Sequence, residues 1–141
     1  MSETRLRYLA AIGAAAIAAW GLAAAAAVAG ELDGKTFVVQ SGEQGKPAQG
    51  PLDEIVFREG KMHSAGCDPY GFGDGSYTTM HHPDSIMFHA RTDSAKQGAI
   101  LWTGQIHGDE LSGGYVWTKP GQKPIEYWMK GTLKKENGGN P

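Results

Sequence analysis

The chain has 141 residues, 13 basic and 15 acidic side chains, and a formal charge of −2. With no stripe of Lys and Arg, that balance excludes a surface that tracks phosphates, so nucleic acid is not an expected partner. One cysteine, Cys67, excludes an intramolecular disulfide, which leaves packing and backbone pairing to hold the fold together.

The N-terminus carries Arg5 and Arg7, then an alanine-rich apolar run over 9–28, then Ala27-Val28-Ala29. A positive start, an apolar middle and a small-residue cut are the layout of a secretory signal. This predicts a signal peptide over 1–29, cleavage after Ala29, and a periplasmic or secreted remainder. An uncleaved anchor is the alternative reading, because the run is close in length to a bilayer span. Membrane contact is expected only through that segment. The remainder divides into one domain over 30–136 and a short flexible tail over 137–141.

Downstream the apolar residues recur with period two rather than 3.6. Strands are predicted over 36–39, 54–58, 61–63, 76–81, 86–91, 100–106, 111–118 and 125–133. Glu59-Gly60, Pro83-Asp84 and His107-Gly108-Asp109 are turn signals between consecutive runs. Pro120 and Pro124 make 119–124 a loop, since neither can donate to a ladder. Short consecutive strands favour neighbour pairing, and eight of them can close into an antiparallel up-and-down barrel without edges. An open sandwich would use the same alternation.

Leu32-Asp33-Gly34-Lys35-Thr36-Phe37, at the head of the first strand, resembles the Gly-x-Trp opening of lipocalins and related calycin barrels, with Phe37 in place of the tryptophan. The resemblance implies a calycin-like barrel whose floor Phe37 closes beside Gly34. The chain lacks the long helix that lipocalins pack after the barrel, and 41–51 does not supply a helical lid. The implied form is therefore stripped, of avidin-like size, and no biotin-site pattern accompanies it.

Small barrels either fill with side chains or hold one small ligand. Tyr77, His89, Trp102, Trp117 and Trp128, with Tyr70 and Phe72 from the glycine-rich stretch 64–75, are the expected ligand-contacting residues. Aromatics supply apolar area, and His and Tyr orient by hydrogen bonds. The stretch 64–75 reads either as a loop folding over a ligand or as a structured cap. His63, His81, His89 and His107 fall opposite Met62, Met80, Phe88 and Ile106. They face solvent if those four residues form the core, or a polar pocket if they do not.

Metal or haem would need ligands gathered from separate strands, with Cys67, His63 and His82 as the candidate set. No Gly-x-Ser-x-Gly elbow occurs, and Asp53-Glu54 and Asp109-Glu110 read as solvated turn charges. The expectation is an exported, non-catalytic barrel holding a small, partly apolar ligand. Its rivals are a metal or haem carrier, an accessory subunit of an envelope complex, and an enzyme. Ligand identity, cofactor and oligomeric state are not legible in these residues.

Overall fold

A computed structural model describes residues 30–135, so the predicted signal segment over 1–29 and the tail over 137–141 lie outside the described residues. Eight strands follow in order: β1 (Thr36–Glu43), β2 (Asp53–Arg58), β3 (Lys61–Ser64), β4 (Gly75–His82), β5 (Ser85–Ser94), β6 (Gly98–His107), β7 (Glu110–Thr118) and β8 (Ile125–Leu133). Each pairs antiparallel with its neighbour, and β8 returns to β1, so the sheet is a closed barrel. The predicted all-β, up-and-down, eight-stranded architecture is what forms.

The turns explain the order. Glu59 and Gly60 take φ of 55° and 72°, the left-handed pair that matches strand twist in a two-residue hairpin. The ladder β1–β8 runs to Glu43 opposite Tyr127, so β1 is four residues longer than predicted. Pairing with β8 satisfies the backbone groups of 40–43, which lie beyond the alternating stretch.

One end of the barrel is closed by aromatic packing. Phe37, Phe57, Phe88 and Leu32 are fully buried or nearly so. Phe57 meets Tyr77 and Phe88 edge to face, each at 5.0 Å, and Phe37 at 6.2 Å. The turn over 30–34 plugs this end, with the Gly34 N–H donating to the Phe57 carbonyl at 2.9 Å.

The alternation leaves open which face of β4 is inside, and the structure turns Tyr77 inward: Tyr77 is buried and Met80 is 55% exposed. Tyr77 sits opposite Ala90 and is held inward by polar partners. Its hydroxyl donates to Asp33 Oδ1 at 2.7 Å and accepts from the Leu32 N–H at 2.9 Å. The outer face of the strands carries Arg58, Lys61, Thr78, His89, Arg91, Gln105, His107 and Lys130. That exterior is largely polar, with Met80 and Leu101 as its exposed apolar residues.

Candidate functional site

The other end of the barrel is open, and a cavity of about 440 Å³ lies there. Its inner wall comes from β1, β2 and β6 to β8: Ser41, Asp53, Ile100, Tyr115, Trp117 and Tyr127. Three loops form the rim. The β1–β2 loop brings Gln49, Pro51 and Leu52, and the β5–β6 turn brings Gln97. The β3–β4 segment brings Gly66, Cys67, Tyr70 and Phe72.

The aromatic wall is continuous. Tyr115 and Tyr127, paired across β7 and β8, stack at 4.7 Å with an interplanar angle of 12°. Trp102 lies beneath Tyr115 at 4.5 Å, and its indole N–H donates to Thr92 Oγ1 at 2.9 Å. Trp102 and Thr92 are both buried beneath that wall. Trp117 donates from its indole to the Gln97 carbonyl at 2.6 Å, which fixes both the ring and the β5–β6 turn. Burial pushes the Tyr115 and Tyr127 phenols up, so both are neutral donors at physiological pH. The Tyr115 hydroxyl donates to Ser41 Oγ at 3.2 Å.

Asp53 is the polar centre. It is the first residue of β2 and shares the inward face with Ile55 and Phe57. It therefore lies inside the mouth, which corrects the expectation of a solvated turn charge. Its carboxylate accepts from the Ser64 hydroxyl and from the Gly66 N–H at 2.6 Å. A Cβ on residue 66 would sit 3.0 Å from that carboxylate, so glycine there lets the backbone donor approach.

The segment after β3 is a 3₁₀ helix over Ala65–Tyr70, ended by Gly71 at φ 78°. His63 holds it from the outer face of the sheet. Its Nε2 lies 2.8 Å from Asp68 Oδ1 and its Nδ1 2.7 Å from Asp74 Oδ1. A neutral ring with its proton on Nε2 donates to Asp68 and leaves Nδ1 without a hydrogen toward Asp74; only the imidazolium donates at both. Ser94 adds a third tie, donating to the Tyr70 carbonyl at 2.8 Å. Burial pushes the Cys67 thiol up, with the nearby Asp53 and Asp68 charges acting in the same direction, which disfavours a thiolate nucleophile or ligand.

The residues singled out in the sequence are distributed as follows. Tyr70, Phe72 and Trp117 line the cavity, and Trp102 lies below it. Tyr77 belongs to the closed end. His89 is on the outer face, its Nδ1 3.3 Å from Thr103 Oγ1. Trp128 is also outside, and its indole donates to the Lys46 carbonyl at 2.9 Å, pinning the β1–β2 loop that forms part of the rim. The candidate metal set does not converge: Cys67 and His63 belong to the open end, while His82 ends β4 at the closed end. Antiparallel register separates them, and among the described residues no three His, Cys, Asp or Glu side chains gather as ligands.

Asp53, Ser41, Tyr115 and Tyr127 are not among the residues the sequence predicts to contact a ligand. The signal for Asp53 was present, since Asp53, Ile55 and Phe57 share one period-two face. No family model matches the chain, and neither do any curated protein or solved structure.

Proposed function

We propose that this protein binds a small, partly apolar ligand at the open end of its barrel, without transforming it. The observation that carries the reading is the cavity itself. A space of about 440 Å³ is within the range of small-molecule sites, and its Tyr115–Tyr127 stack and Trp117 present apolar faces beside a few polar groups. The signal-like N-terminus supports a role outside the cytoplasm. The strand count and the Gly34–Phe37 opening support a calycin-like kinship.

The test is a titration with N-phenylnaphthylamine, a neutral apolar fluorophore, followed through its emission and through Trp117 quenching. Saturable binding that Trp117→Ala weakens is the expected result. No saturable binding, together with a bare chain in native mass spectra of protein purified from its own compartment, would favour the accessory-subunit reading. A metal or haem mass in those spectra would favour the carrier reading.

A further inference from the structure

The charge carried by the cavity lining is one-sided. Asp53 is the charged residue of its lining, and no Lys, Arg or His is among the residues that form it. Among the described residues no ion pair involves Asp53. Its partners, the Ser64 hydroxyl and the Gly66 N–H, orient the carboxylate without neutralising it. Of the basic side chains on the surrounding loops, Lys46 pairs with Glu43 and Lys119 donates to Gln97 Oε1 at 3.1 Å on the rim, and neither makes an ion pair with Asp53. The rest of the wall is Tyr115, Tyr127, Trp117, Tyr70 and Phe72. Aromatic faces carry the negative side of a quadrupole and attract cations.

We infer that the ligand is an organic cation, an ammonium on an apolar body, with its charge on Asp53 and its body against Trp117 and the Tyr115–Tyr127 stack. This rests on the reading of the cavity as a ligand site. A carboxylate without a cation and a run of π faces lower the energy of a positive guest. They raise the energy of an anionic one, and for a neutral guest they offer only a hydrogen-bond acceptor and apolar area. Tyr70, 60% exposed at the rim, has an accessible face for the entering group.

The experiment compares three probes sharing one body: phenylbutylamine, phenylbutanol and phenylbutyrate, each titrated by calorimetry into the full chain. The amine is expected to bind on the order of tenfold or more tighter than the alcohol, and the acid weakest. Asp53→Asn is expected to remove most of the amine's advantage and leave the alcohol unchanged. Added salt is expected to weaken the amine alone. Should Asp53→Asn not fold, Tyr127→Leu takes its place, and a narrowed gap between amine and alcohol is expected. Equal binding of amine and alcohol, tighter binding of the acid, or an amine indifferent to both substitutions would overturn the inference. Saturation by N-phenylnaphthylamine without amine binding sinks the cation alone; failure of every probe sinks the ligand site with it.

Discussion

Trp128 donates its indole N–H across 2.9 Å to the carbonyl of Lys46, so an outward-facing residue of the last strand fixes the loop over the barrel mouth. The contact depends on Gly42, opposite Trp128 in the ladder, where a Cβ would meet the Pro47 carbonyl at 2.4 Å and the indole nitrogen at 3.1 Å. Trp128→Phe keeps an aromatic ring, a smaller one, and deletes the donor. It is expected to cost about 1 kcal/mol of stability and to speed amide exchange across 44–52. Probe affinity should fall with it. Unchanged exchange in that loop would show that the indole does not hold it.

Tyr70 and Phe72 share a segment and separate in burial, at 60% and 6% exposed. Tyr70→Ala is expected to weaken probe binding with little change in the melting temperature. Phe72→Ala removes a ring from the core and is expected to cost about 3 kcal/mol. Denaturant titration of the two variants checks this, and equal losses would contradict it.

Burial pushes the Tyr77 phenol up to about 12, with the Asp33 bond acting in the same direction. The unfolded chain releases this proton near pH 10. Between those values the unfolded state is deprotonated while the folded one is not. The contribution is therefore intact below pH 10 and lost as pH rises toward 12. A fall on the order of 2 kcal/mol across that window is expected, with the raised Tyr115 and Tyr127 phenols adding in the same sense. Tyr77→Phe should flatten the profile and lower stability at neutral pH. It leaves the Leu32 N–H and Asp33 Oδ1 without the phenol. Denaturant melts taken at intervals from pH 8 upward decide it.

Gly104 lies against Phe88 across the β5–β6 ladder, and a Cβ there would come within 2.2 Å of the Phe88 ring. Gly104→Ala is expected to destabilise by about 1–3 kcal/mol through overpacking. Phe88→Leu in the same chain should recover part of that loss. A double-mutant cycle with no coupling between the two sites would show that the ring moves away freely.

Some of this was legible before any fold was known. Strand alternation, the Glu59-Gly60 turn and the proline-bounded loop over 119–124 are local properties, carried by side-chain type and φ preference. They suffice to predict an all-β chain of eight consecutive strands. Asp53 was legible in part, because it shares a face with Ile55 and Phe57, although a carboxylate beside another carboxylate reads as a turn.

What the tertiary structure alone decided is which face of a balanced strand turns inward, and what gathers at each end. In β4, Ser76, Thr78 and Met80 compete with Tyr77, Thr79 and His81 without a clear apolar winner. The contest is settled by Asp33 and Leu32, more than forty residues away, which satisfy the Tyr77 hydroxyl. Closure of β8 onto β1 likewise extends β1 to Glu43, and it brings the Tyr115–Tyr127 stack of β7 and β8 round to Ser41 of β1 and the carboxylate of β2. Those neighbours are distant along the chain, and the pairing that joins them is a property of the closed sheet rather than of any one segment.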